Sequence, residues 1–134
     1  MEQNAQVASK LTGRIIEAAI EVHRELGPGL LESVYEEAFC YELVRLGLAF
    51  ERQVQLPIQY KGNSLNSHLR LDVIVERSVI VELKSVEKLL PVYQAQLLTY
   101  LKLTNMNVGL LINFNQKVLK NGIRRIVNNF RDAQ

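Results

Sequence analysis

With 134 residues the chain is expected to form one domain, large enough to bury about two-thirds of the surface its unfolded form exposes. A formal charge of +2 is too small to announce a nucleic-acid binder, and Cys40, with no second cysteine and no Cys/His cluster, excludes an internal disulfide and a structural zinc site. No basic segment followed by an apolar run opens the sequence and no apolar run approaches membrane-spanning length, so the expectation is a soluble protein of the reducing cytoplasm with no membrane partner.

Residues 1–8 read as a flexible polar tail, with residues 9–134 forming the domain. From Ser9 to Leu26 apolar residues recur at helical spacing, Leu11, Ile15, Ala18 or Ala19, Val22 and Leu26 making one stripe, and Gly27-Pro28-Gly29 ends that helix. A second helix is expected from Leu31 to Leu46, closed by Gly47 and burying Val34, Ala38, Tyr35 and Phe39. Strand structure follows within Ala49 to Tyr60, then a turn at Lys61-Gly62-Asn63-Ser64. Two β-branched apolar runs, Leu69 to Val75 and Val79 to Lys84, form a hairpin about Glu76-Arg77-Ser78. Pro91 opens a third helix running to Leu103, Val108 to Phe114 suits a buried strand, and Ile123 to Val127 is a last strand or short helix. The order ααβββαβ predicts an α/β (α+β) fold with a mixed central sheet flanked by helices.

The hairpin carries the chemistry. Leu69, Leu71, Val73 and Val75 are expected on one face with Val79, Val81 and Leu83, leaving Arg70, Asp72 and Ile74 with Ile80, Glu82 and Lys84 on the other. The apolar faces coincide only with an odd-numbered turn, because a one-residue slip turns every side chain over, and that register sets Asp72 beside Glu82. Two carboxylates and an ammonium on an otherwise apolar ribbon suit a hard divalent cation next to a group that orients water. The plain reading, an exposed face with cross-strand ion pairs, is disfavoured by the central-strand character of Val79 to Leu83, where charges are costly unless paired or metal-bound.

Asp72 followed by Glu82-Leu83-Lys84 resembles the core motif of the PD-(D/E)XK nuclease superfamily, and Gly29-Leu30-Leu31-Glu32-Ser33-Val34-Tyr35 resembles the signature of its small GxxExxY proteins. Gln96-Leu97-Leu98-Thr99-Tyr100 is similar to the QxxxY helix motif of the RecB-like branch. One departure is Leu71, where the superfamily motif has Pro before the Asp. The resemblance covers about residues 11–127 and implies a restriction-endonuclease-like core, and a Mg²⁺- or Mn²⁺-dependent nuclease, with one or two ions, that acts on nucleic acid, DNA first, and leaves 5′-phosphate and 3′-hydroxyl ends. It implies that Asp72, Glu82 and the Leu83 carbonyl ligate the metal, that Glu32 completes the set or binds a second ion, and that Lys84 orients or deprotonates the nucleophile. Glu36, one turn from Glu32, shares its face and is an alternative ligand. Tyr35 packs or braces the site, and the face shared by Gln96 and Tyr100, opposite or oblique to Leu97 and Leu101, supports the active site or contacts phosphate, with Tyr93 extending that stripe.

Charge is unevenly spread, with eight Lys or Arg against twelve Asp or Glu in residues 1–83, and eight against two from residue 84 on. Lys117, Lys120, Arg124, Arg125 and Arg131 are the expected phosphate-contacting cluster. His23 and His68 have no partner at metal spacing, no Gly-rich loop with Lys-Ser/Thr calls for a nucleotide cofactor, and no Ser/His/Asp or Cys/His set offers another chemistry. The rival expectation is a non-catalytic nucleic-acid-binding or protein-interaction module on the same fold. A chain this short leaves no room for a separate recognition domain, so a homodimer or a partner protein is expected to supply specificity. The sequence does not separate DNA from RNA, endonuclease from exonuclease, or linear from branched substrates.

Overall fold

The computed structural model describes residues 2–128, with side chains from residue 9 onward. Helices α1 (Glu2–Leu26) and α2 (Glu32–Arg45) form a hairpin and precede β1 (Phe50–Tyr60), β2 (Asn63–Val75) and β3 (Val79–Lys84). Helix α3 (Pro91–Thr104) leads to β4 (Val108–Asn113), a single 3-10 turn at Leu119–Gly122 and β5 (Ile123–Val127). The five strands lie in chain order, parallel between β3 and β4 and antiparallel elsewhere, so the one crossover is the passage through α3.

The sheet is covered on both sides. Ile15, Ala19, Tyr35, Phe39 and Leu43 of α1 and α2 pack on Val73, Val81, Leu83, Leu110 and Ile112, while Leu97, Tyr100 and Leu101 of α3 pack on Ile74, Ile80 and Leu111. This two-sided burial explains the unbroken apolar run of β4, every residue of which is buried. At Gly109 a Cβ would stand 2.9 Å from Leu97 Cδ1, so a side chain here would have to displace Leu97 of α3.

Three expectations change. Helix α1 begins at Glu2 rather than near Ser9. Val34 is 40% exposed and Leu26 equally so, because α2 packs on the sheet through Tyr35, Phe39 and Leu43 and turns Val34 away. The side-chain alternation of β2 also breaks at Asp72. Leu69 and Leu71 join the cluster under α3, whereas Val73 and Val75 join the cluster under α1 and α2. The cause lies in β1, where Gln53 has a φ of 50° and the pairs on either side, Arg52 with Val73 and Val54 with Leu71, therefore present opposite faces.

Candidate active site

The hairpin pairs as its three-residue turn requires, Val75 with Val79, Ile74 with Ile80 and Val73 with Val81. There the backbone ladder ends. The next pair in register is Asp72 and Glu82, and carboxylates take over the cross-strand bonds: the Asp72 N–H donates to Glu82 Oε2 at 2.9 Å, and the Leu83 N–H donates to Asp72 Oδ2 at 2.8 Å. Side chains thus hold apart two strands that would otherwise close. A residue that turns its N–H toward a neighbouring strand turns its C=O the same way. The Leu83 carbonyl therefore faces β2, as its N–H does, while the Lys84 carbonyl accepts from the Phe114 N–H on the β4 side.

The electrostatics of this opening are strained. Burial, above all, together with the charge of Asp72, pushes Glu82 up to about 8 from 4.5, against the opposing pull of the Asp72 N–H and of Lys84. Asp72 is also raised, first by burial and then by Glu36 and Glu32, although its bond from Leu83 and the Lys84 charge work against this. Lys84 Nζ lies 4.7 Å from the centroid of the Tyr93 ring, a cation–π contact that holds the ammonium beside the pair. The hydroxyl of Tyr100 is raised by burial and by the charges of Glu82 and Asp72, which puts this residue next to the same opening. A buried and a half-buried carboxylate, both with raised proton affinity, and a carbonyl turned the same way form a hard oxygen donor set short of positive charge. That set fits Mg²⁺ or Mn²⁺, which commonly takes only one or two protein carboxylates and completes its shell with water and phosphate.

The other expected residues are placed as follows. Glu32, in the first turn of α2, accepts from the Ser85 N–H at 3.4 Å, one residue beyond Lys84. Glu36 is buried and bound by Arg52 and by the Gln53 amide, both at the kink opposite Asp72. Tyr35 does not line the opening. It is fully buried, stacks on Phe114 at 4.5 Å, donates its hydroxyl to the Gly27 carbonyl at 2.5 Å and accepts from the Leu30 N–H at 3.1 Å. It therefore fixes the loop whose Gly29 has a φ of 97° and whose Leu30 carbonyl receives the Ser85 hydroxyl. Tyr100 is buried in one cluster with Leu97 and Leu101, so it does not lie opposite them, and Gln96 is exposed. Lys117 and Lys120 are exposed in the connection after β4, at the same end of the sheet as Lys84. Arg124 and Arg125 are exposed on the edge strand β5, and as neighbours on a strand they point to opposite faces, so they do not form one patch. Arg131 lies outside the described residues.

Asn113 was not anticipated. It is fully buried, its Oδ1 accepts from the Val86 and Asn115 N–H groups, and its Nδ2 donates to the Val86 carbonyl, clamping the segment after Lys84 to the end of β4. The available signal was an Asn closing an apolar strand, a polar group that burial obliges to find partners.

A model of the PD-(D/E)XK nuclease superfamily matches residues 9–126. The chain belongs to that superfamily. No curated protein and no solved structure matches it significantly. The mixed sheet flanked by helices is consistent with the restriction-endonuclease-like arrangement of PD-(D/E)XK proteins, and Asp72 and Glu82 meet where β2 and β3 part. Among the described residues no three His, Cys, Asp or Glu side chains gather at metal-binding distance, so in this PD-(D/E)XK chain Asp72 and Glu82 stand as a pair with Glu32 and Glu36 at its margin. No helix among the described residues is long and apolar enough to cross a membrane.

Proposed function

We propose that this PD-(D/E)XK protein is a Mg²⁺- or Mn²⁺-dependent phosphodiesterase that hydrolyses nucleic acid, DNA in the first place, and that it belongs to the GxxExxY group. The observation that carries the reading is the opening at Asp72 and Glu82, where two carboxylates, one buried and one half-buried, replace the backbone ladder beside an ammonium held on an aromatic ring. An exposed salt-bridged face would leave its carboxylates with ordinary proton affinity, whereas burial first, and then neighbouring carboxylates, raise both of these.

Asp72, Glu82 and the Leu83 carbonyl would hold the ion, with Glu32 completing the set or binding a second ion. When bound, the ion lowers the pKa of its water and neutralises charge on the phosphoryl oxygens. The chain's own groups do the rest. Lys84 orients the attacking water, and Tyr93 keeps the ammonium from swinging into solvent. Tyr100 and Leu97 close the α3 side of the opening, and the Ser85 contacts tie the helix that carries Glu32 to the strand end that carries Lys84.

Because Lys84 acts chiefly in the transition state, Lys84→Ala is expected to lower cleavage by several orders of magnitude while leaving metal and substrate binding nearly intact. The check is a cleavage assay with Mn²⁺ on single-stranded, duplex and branched DNA, run beside a binding assay. Wild type that binds but cuts none of them, with Lys84→Ala indistinguishable from it, turns the assignment to a non-catalytic binding module.

A further inference from the structure

The β1–β2 hairpin outruns the sheet it belongs to. Strand β2 pairs with β3 only from Val73 to Val75, but its pairing with β1 continues from Val54 and Leu71 out to Tyr60 and Asn63. That is roughly 25 Å of two-stranded ribbon at the usual rise per residue. Because β2 is antiparallel to β3, this arm extends past the end of β3 at which Asp72, Glu82 and Lys84 lie. Every residue from Gln59 to His68 is exposed.

The two faces of the arm differ. Directly opposed residues share a face, so Val54 with Leu71 and Leu56 with Leu69 make an apolar side, on which Val54 and Leu69 lean on the α3 cluster. Gln55 with Arg70 and Pro57 with His68 make the other side, exposed throughout. From Arg52 to Leu71 there is no Asp or Glu, although residues 1–83 as a whole carry an excess of acids; Arg52, Lys61 and Arg70 are the charges present. The free edge of β1 is blunted by Pro57, which offers no donor, and by the register shift beside it, so strand addition is not what the arm is shaped for.

We propose that the arm grips double-stranded DNA, its Gln55, His68 and Arg70 face against the phosphate backbone so that one strand is delivered to the Asp72–Glu82 opening. The proposal rests on the nucleic-acid hydrolase reading and adds the form of the substrate. A two-stranded ribbon fits the major groove of B-form DNA, whereas the deep, narrow major groove of A-form RNA does not admit it. Single strands are held by aromatic platforms. The one aromatic residue of the arm, Tyr60, has its ring engaged by Lys61 at 5.5 Å.

The experiment is fluorescence anisotropy in EDTA, so that no cutting occurs, with a labelled blunt DNA duplex, the same sequence as a single strand, and an RNA duplex, over a range of salt. Wild type is expected to prefer the DNA duplex. Lys61→Gln/Arg70→Gln is expected to bind it about tenfold or more weakly, with a log–log salt slope shallower by about 0.9 for each lost phosphate contact. Gln55→Glu, which sets a carboxylate opposite Arg70 and so favours the native pairing, is a second variant expected to weaken binding without loss of fold. Equal duplex binding by wild type and both variants overturns the arm and leaves the hydrolase reading intact. Equal affinity for single strand, or preference for RNA, overturns the form of substrate. A change in sedimentation with no change in DNA affinity overturns the proposal in favour of self-association through the arm. Arm-dependent duplex binding without any Mn²⁺-dependent cutting supports the grip and removes the hydrolase reading instead.

Discussion

Tyr35 shows how a motif residue serves a site that it does not touch. Its hydroxyl satisfies the Gly27 carbonyl and the Leu30 N–H at once, and its ring stacks on Phe114, which follows the strand that Asn113 ends. Tyr35→Phe keeps the stack and removes both bonds, leaving partly buried backbone groups without a partner. The expected loss is about 1–3 kcal/mol in urea unfolding, equal with and without Mn²⁺, and an effect seen only with the metal present would contradict the anchoring role. Cys40 is a quiet residue by comparison. Burial pushes its thiol up to about 11 with Arg52 opposing, which leaves it unreactive at neutral pH.

At the scale of elements, the placing of α3 decides how well the site is walled. Gly109→Val sets a side chain where Leu97 now lies, and α3 must move away from β4 with Tyr93 and Tyr100 on it. The expected result is a loss of about 1–3 kcal/mol and a fall in cleavage rate larger than any loss of DNA affinity; a variant that is destabilised but fully active per folded molecule would show that α3 does not position the site. The strands and helices were legible because their apolar spacing was strong, and the hairpin register followed from the odd turn at Glu76-Arg77-Ser78, which put Asp72 opposite Glu82. What the spacing did not reveal was the break in alternation at Asp72. Strict period-two reading assigns Leu71 and Val73 to one face, and only a left-handed residue on the neighbouring strand, Gln53, undoes that. The same limit hid Asn113 and the Lys84–Tyr93 contact, since both join elements distant in sequence, and it hid that Glu36 is bound by β1 while Glu32 faces Ser85.

For the molecule as a whole, the Asp72–Glu82 pair is expected to couple stability to pH and, if it holds the proposed ion, to divalent cations. Between the ordinary carboxylate range, near 4.5, and about 8, folded Glu82 keeps a proton that the unfolded chain has released, and Asp72 is shifted in the same direction. The unfolded state then binds fewer protons, so metal-free stability is present at acid pH and falls as pH rises through this window, by an amount on the order of a few kcal/mol. Urea titrations in EDTA from pH 5 to 9 check this; Glu82→Gln is expected to flatten the fall, and an equal slope in that variant would place the linkage elsewhere. A divalent cation held by the pair, as proposed, would stabilise its ionised form and, by mass action, restore what alkaline pH removes. The most direct test of the whole account is a crystal structure determined with Mn²⁺, read by its anomalous signal. An ion bound by Asp72 and Glu82 is expected in wild type and none there in Asp72→Asn, and a wild-type crystal at saturating Mn²⁺ with no ion on those two carboxylates would contradict the metal site.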